Sequence, residues 1–262
     1  MHQLELVRNN FIAKVSHFAR FVPGMSVEAT TTYVRVDCGL PSDTFNAVVI
    51  TRADFNASKS ILQYYQIKNF PTAFWVFESP AAPEIEQQLI DLQLVSNELN
   101  MAMLVDLRSL QANYKATPEF TIQLASTPKE MLTHAEVLAS LFEPAAEANQ
   151  IKKYYQSISP YYEANTSPIQ FFIGIHQEEV VSTGTLFFDQ NAVGIYDIAT
   201  KINVRGKGFG SQMFHYLLQV AKNQGATTAV LQASPDGLGI YKKAGFEEIG
   251  SVKVFENRHL LE

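Results

Sequence analysis

The residues most suited to chemistry in this sequence are three alternate glycines and two cations packed into Val204-Arg205-Gly206-Lys207-Gly208-Phe209-Gly210-Ser211. The chemistry they suit is the binding of a pyrophosphate. Glycine lets the main chain come close to phosphate oxygens. Where a helix starts within such a run, its first N–H groups have no intrahelical partner. The aligned peptide dipoles also place partial positive charge there, so an anion can be held largely by main chain. Arg205 and Lys207 add full charges to that field.

The elements that must position this run are legible on both sides of it. Val193 to Thr200 is apolar and β-branched, as a strand requires, and Ser211 to Asn223 repeats Met213, Leu217, Leu218 and Ala221 at helical spacing before Gly225 stops it. A strand therefore feeds a glycine turn into a helix. Between Ile198 and Pro235 there is no Asp or Glu, whereas Lys201, Arg205, Lys207 and Lys222 all occur, so the segment is cationic within a chain of formal net charge -6. Other glycine signatures do not fit. A P-loop needs Lys-Ser/Thr after its last glycine, but Ser211-Gln212 follows Gly210. A dinucleotide fingerprint needs two residues between its second and third glycines and an acidic residue about 20 positions on. Here one residue separates Gly208 from Gly210, and Val230, Leu231 and Gln232 are not acidic. The kinase loop lacks its downstream partners.

Around this core the patterning predicts two mixed α and β halves. In the first, helices are expected over Gln3 to Phe21, Ala57 to Asn69 and Glu84 to Leu94, and strands over Glu28 to Asp37, Phe45 to Thr51 and Thr72 to Phe77. Met101 to Leu110 fits either state. Ala112 to Glu119 is polar and holds Pro118, which places a domain boundary at 116/117 and gives domains 1–116 and 117–262. Only Gly24 and Gly39 precede that boundary, and the other eleven glycines follow it. In the second half a strand is expected over Phe120 to Leu124, a helix from Ser126 to Phe142, and a tyrosine-rich helical stretch over Asn149 to Glu163, interrupted by Pro160. Strands Ile169 to His176, Val180 to Phe188 and Val193 to Thr200 follow, joined by turns at Gln177-Glu178-Glu179 and Asp189-Gln190-Asn191. After the glycine turn come a helix to Gln224, the strand Thr227 to Ala233, a short helix Leu238 to Ala244, and strands from Phe246 and Val252. Ala47 to Thr51, a helix, then Thr72 to Phe77 echoes the strand, helix, strand order around the glycine turn, without its glycines and cations.

Composition narrows the class. Hydrophobic residues are 47% and aromatics 11%, and no segment is apolar for the ~18 residues of a spanning helix. Met1 to Phe21 spreads Arg8, Lys14 and Arg20 through an amphipathic pattern, unlike a signal peptide, so a cytoplasmic location is expected. The single cysteine, Cys38, excludes an internal disulfide and a cysteine-rich metal site. The acidic pI near 5.6 disfavours nonspecific nucleic-acid binding.

Four pieces, Ile198-Ala199-Thr200, Arg205 to Gly210, Val230-Leu231-Gln232-Ala233-Ser234 and Tyr241-Lys242-Lys243-Ala244-Gly245-Phe246, together resemble the GCN5-related N-acetyltransferases (GNAT), in that family's order and spacing. The resemblance covers roughly residues 118–257. It implies an α/β protein with a mixed sheet of the acyl-CoA N-acyltransferase fold. It also resembles the bacterial proteins that place a degenerate GNAT-like half before an intact one. It implies acetyl-CoA as co-substrate and a small-molecule or peptide amine as acceptor, while charge and hydropathy argue for no nucleic-acid or membrane partner and leave an oligomer possible. Ile198 and Thr200 would lend main-chain groups to pantetheine, with Ala199 between them in the cofactor-binding segment, and Arg205, Gly206, Lys207, Gly208, Phe209, Gly210 and Ser211 would cradle the pyrophosphate. Tyr241 corresponds to the family's general acid, which protonates the departing thiolate. Ser234 stands where many relatives have Asn, and its hydroxyl reaches less far towards the cofactor.

The base is less marked. Asp197, just before the strand segment that the family opens, and Glu163 are the acidic candidates, and either could instead be structural. Tyr154, Tyr155, Tyr161 and Tyr162 could receive an amine, since aromatic faces attract cations, or could simply cover the sheet. Tyr241 could likewise only pack against Phe246. Cys38 has no His nearby in sequence and reads as a small buried hydrophobe, Trp75 as core, and the six histidines show no His-x-x-x-His ligand spacing. The alternatives to an acetyltransferase are an acyl-CoA-responsive binding module and an aminoacyl-transferase acting on charged tRNA, the latter disfavoured by the acidic charge balance.

Overall fold

The computed structural model describes residues 2–261 apart from 111–113, 115, 116 and 236, with main chain only at 2 and 97. The chain packs as two compact units, Met1–Met103 with Gln232–Leu238 and Glu248–Glu262, and Leu104–Leu231 with Gly239–Glu247. The boundary expected at 116/117 adjoins 115 and 116, outside the described residues.

The first unit begins with helix α1 (His2–Ser16), strands β1 (Ser26–Ala29), β2 (Tyr33–Asp37) and β3 (Ala47–Ile50), helix α2 (Phe55–Ile67), strand β4 (Ala73–Phe77), helix α3 (Ala82–Asp91) and most of strand β5 (Val95–Asp106). The single strand expected over Glu28 to Asp37 is two, because Thr30 Oγ1 accepts the N–H groups of Thr32 and Tyr33, both at 3.1 Å, and folds the chain into a hairpin. The ambiguous Met101 to Leu110 stretch is strand as far as Asp106, whose carboxylate accepts the N–H of Arg108 and ends it. Helix α2 is capped by the Asp54 side chain on Ala57 N–H. It buries Ile61, Leu62 and Tyr65 against Val48, Ile50, Phe74 and Val76 of the parallel pair β3 and β4.

The second unit holds β6 (Phe120–Leu124), α4 (Pro128–Ala139), α5 (Glu147–Ile158), β7 (Ile169–His176), β8 (Glu179–Phe188), β9 (Val193–Thr200) and α6 (Phe209–Asn223). Strand β10 (Thr228–Ala233) and the short α7 (Leu238–Lys243) straddle the division between units. Within this unit the strand order is β10-β9-β8-β7-β6, antiparallel from β6 to β9 and parallel between β9 and β10. The turn between β7 and β8 carries positive φ at Gln177 and Glu178, 52° and 65°, as a primed two-residue hairpin requires. A capping box between Thr127 and Glu130 starts α4, and the tyrosine-rich helix gives way to a 3-10 turn at Ser159–Tyr161 around Pro160. The last strand, β11 (Glu247–Glu256), is continuous where two strands were expected, and it pairs antiparallel with β4, Val254 opposite Trp75.

Helix α6 lies on the sheet because two strand positions have no side chain. A Cβ at Gly184 would come within 2.7 Å of Leu217, and one at Gly174 within 2.4 Å of the Phe120 ring. Phe120 is buried and stacks on Phe209, the first residue of α6, at 4.7 Å between ring centroids. Gly174→Val therefore pushes on the start of α6. The expected cost is about 1–3 kcal/mol, from overpacking a filled core, read as a lowered midpoint in thermal unfolding.

Candidate active site

Strand β9 is built to open. Its parallel pairing with β10 runs through Ala229 opposite Val193 and Val230 opposite Gly194, whereas its antiparallel pairing with β8 continues to Thr200 opposite Ser182. The register against β8 skips between Tyr196, opposite Thr185, and Ala199, opposite Thr183, so Asp197 and Ile198 together face one residue, Gly184. This is a β-bulge, with Asp197 in the left-handed region at φ 54°. Asp and Asn are among the few non-glycine residues that tolerate that conformation. Two buried hydroxyls of β8 hold this end of β9: Thr183 donates to the Asp197 carbonyl in the bulge at 3.0 Å, and Ser182 to the Ala199 carbonyl beyond it at 2.7 Å.

The glycine turn follows directly. A 3-10 turn over Ile202–Val204 leads to Arg205, whose Nε donates to the Thr200 carbonyl at 3.2 Å and ties the turn back to the strand end. Gly206 and Gly208 have φ of +80° and +83°, and a Cβ on either would meet open space, so these glycines serve backbone conformation and leave the concavity clear. Gly210 has another role, because its Cβ would stand 3.2 Å from Thr200 Oγ1, where the first turn of α6 lies against the strand. Gly208 caps α6 with its carbonyl on Gln212 N–H at 2.9 Å, and among the described residues no acceptor meets the N–H groups of 206–211. Two other cations of the segment are engaged elsewhere: Lys201 pairs with Glu179 at 2.7 Å, and Lys222 donates to the Leu110 carbonyl near the far end of α6. Arg205 and Lys207 remain exposed at the turn.

Tyr241 is half-buried on α7, its ring edge-on to Phe214 of α6 at 5.0 Å and 6.3 Å from Phe246. The motif around it is a helix stop. Phe246 N–H donates to the Tyr241 carbonyl and Gly245 N–H to that of Lys242, with Gly245 at φ +91°. This is the Schellman arrangement, which explains Gly and Phe at the fourth and fifth positions after the tyrosine. Burial pushes the Tyr241 phenol up from its ordinary value, so it holds its proton through the neutral range. Phe214 lies one turn beyond Gly210, so α6 joins the tyrosine to the glycine turn.

The remaining candidates separate. Ser234 lies in the first unit, exposed, its carbonyl accepting the N–H groups of Gly237 and Leu238. Glu163 is exposed and its carbonyl accepts from Thr166 and Ser167, as the start of a turn. Of the four tyrosines, Tyr155 is buried against Phe171 and Tyr161 is exposed. Tyr162 is half-buried, its hydroxyl 3.4 Å from Phe171 N–H, and burial takes it up to about 12. Burial, helped by the nearby Asp197 carboxylate, raises Tyr155 well above its ordinary value. Cys38 is buried in the first unit. The sequence reading did not single out His134, buried on α4 between Tyr155 and Phe171 with Nε2 3.4 Å from Thr185 Oγ1. A lone histidine at helical spacing gives no signal of such packing. It also did not single out Thr183 and Ser182, since hydroxyls in a strand look alike until the register is known.

An opened strand, a glycine turn whose amides meet no acceptor among the described residues, and a phenol that burial keeps protonated lie on connected elements of the second unit. Residues 135–246 match the model of the Acetyltransferase (GNAT) family, a family that uses acetyl-CoA, and the comparisons support an acyltransferase. The uncharacterized N-acetyltransferase YobR of Bacillus subtilis is 25% identical over 190 residues, 71% of this chain and 73% of that protein. In fold the chain is similar to a GCN5-related N-acetyltransferase from Kribbella flavida, with TM-score 0.70, 15% identity and 98% of both chains covered. It is also similar to a tandem GNAT protein from the clavulanic acid biosynthesis pathway, with TM-score 0.58, 9% identity, and 96% and 94% covered. Among the described residues no helix is long and apolar enough to cross a membrane, and no group of three or more His, Cys, Asp or Glu is placed to hold a metal ion.

Proposed function

We propose that this chain transfers the acetyl group of acetyl-CoA to a primary amine by direct attack within a ternary complex. The observation that carries this reading is the turn at 206–211. Two left-handed glycines there open on clear space, the amides have no acceptor among the described residues, and Arg205 and Lys207 stand beside them at the start of a 15-residue helix. That arrangement suits a diphosphate. Ile198, Ala199 and Thr200 then lie along the pantetheine arm, where β9 runs past its pairing with β10, and Phe209 and Ser211 extend the cradle.

In this mechanism the amine nitrogen attacks the thioester carbonyl carbon, forming the C–N bond, and main-chain donors of β9 stabilise the negative oxygen that develops. The carbon–sulfur bond then breaks, and Tyr241 gives its proton to the sulfur and regains one from water. Asp197 takes the proton that the amine loses. Holding the two reactants together removes the entropy of a bimolecular encounter. The first unit is, on this reading, a divergent second copy of the fold. Its parallel β3 and β4 with α2 between them repeat the order β9, α6, β10 without the glycine turn.

Titration calorimetry with CoA tests the turn. The wild-type chain gives a binding isotherm, and Gly208→Val weakens it at least tenfold, because a β-branched residue in the left-handed region costs on the order of 1–3 kcal/mol and displaces the amides. No heat with the wild-type chain, or an unchanged isotherm for the variant, removes the pyrophosphate site. Release of free thiol from acetyl-CoA across an amine panel tests the transfer.

A further inference from the structure

We infer that Thr183 is a positioning residue for acyl transfer, acting through the main chain of β9 on the thioester arm of the co-substrate. The inference rests on the proposed placement of that arm along residues 198–200. It begins from an asymmetry at the bulge. Asp197 and Ile198 face the single residue Gly184, so the regular ladder cannot satisfy every main-chain group there. Thr183 supplies what the ladder lacks: its side chain is 0% exposed and its hydroxyl donates to the Asp197 carbonyl at 3.0 Å. The bond fixes the peptide that joins Asp197 to Ile198, and with it the direction of the Ile198 N–H.

The neighbouring hydroxyl has a different duty. Ser182 binds the Ala199 carbonyl at 2.7 Å and receives Thr200 Oγ1 at 3.4 Å, and Thr200 in turn lies against Gly210 at the start of α6. Ser182 therefore serves the junction between strand and glycine turn, while Thr183, on the opposite face of β8, serves the bulge. Alternation along a strand makes this division necessary, since adjacent side chains point to opposite faces. A change at Thr183 should consequently disturb contacts with the pantetheine and acetyl end and leave the diphosphate end alone.

Two ligands read these ends separately: acetyl-CoA, and 3′-phosphoadenosine 5′-diphosphate, which keeps the phosphates and lacks the arm. Thr183→Val conserves shape and removes the hydroxyl, and Thr183→Ser keeps the hydroxyl. We expect Thr183→Val to weaken acetyl-CoA binding about tenfold, the worth of one buried hydrogen bond lost with its partner left unpaired, and to leave the diphosphate ligand unchanged. Thr183→Ser should restore the affinity for acetyl-CoA. Equal weakening for both ligands, no weakening for either, or failure of serine to restore binding overturns the inference. Thr183→Cys, with a weak donor in similar volume, gives the same comparison should the valine variant not fold, and its expected pattern is that of valine. A wild-type chain that binds neither ligand refutes the proposed function itself, and the inference falls with it. Binding by the wild-type chain with an indifferent Thr183→Val refutes the inference alone.

Discussion

Replacing Tyr241 by phenylalanine should lower kcat about a hundredfold or more, the range in which a positioned acid contributes to a transition state, while leaving the fold and CoA binding intact. The variant is clean because the ring makes the packing contacts, against Phe214 at 5.0 Å and Phe246 at 6.3 Å, and phenylalanine keeps them. From Tyr241 itself the helix stop uses only the carbonyl, which accepts the N–H of Phe246, and the substitution keeps it. What disappears is the proton. Because burial raises the Tyr241 phenol above its ordinary value near 10, the acid stays loaded as pH rises through the neutral and mildly alkaline range. No loss of kcat traceable to this group is expected below pH about 10. Thermal unfolding, CoA calorimetry and a kcat profile against pH check the three parts. Unchanged turnover in Tyr241→Phe returns the residue to a purely packing role.

Asp197→Asn should lower kcat by about a hundredfold at neutral pH, if the carboxylate takes the proton of the amine, and the deficit should shrink as pH approaches about 10.4, where a lysine-type amine deprotonates unaided. Asparagine is the right probe because the position has φ 54° and asparagine tolerates the left-handed region as aspartate does, so charge is removed and the bulge remains. Asp197→Val removes both. A β-branched side chain there costs on the order of 1–3 kcal/mol of backbone strain and should lower the unfolding midpoint as well as turnover. The pair of variants separates a proton acceptor from a bulge-former: equal activity of Asp197→Asn and the parent, with loss only in Asp197→Val, assigns the residue to the main-chain geometry. The expected deficits are read from steady-state thiol release at a series of pH values.

These two residues also show how far the sequence can be read. Tyr241 was recognisable because its motif is local: a helix of two turns that stops at a left-handed Gly245, with Phe246 returning to the ring, is encoded within six consecutive residues. The glycine turn was recognisable for the same reason, since backbone conformation at Gly206 and Gly208 depends on those residues themselves. Asp197 was visible as a nearby carboxylate, but its place in a bulge depends on which residue of β8 faces which residue of β9. Four cations make the stretch from Ile198 to Pro235 positive, yet Lys201 pairs with Glu179 and Lys222 meets the Leu110 carbonyl, partners set by contacts distant in sequence. The final strand gave no sign of its partner either, because pairing β11 with β4 sets Val254 opposite Trp75, residues far apart in the sequence.

The amino-acid sequence by itself determined the strand, glycine turn and helix, the tyrosine with its helix stop, and the local excess of positive charge, because each follows from the conformational preference or charge of neighbouring residues. The tertiary structure was needed to show that β9 bulges at Asp197, that Thr183 holds the bulge while Ser182 holds the strand end beyond it, and that the last strand pairs within the first unit. Register and strand partner are properties of two segments together, and neither segment carries them alone.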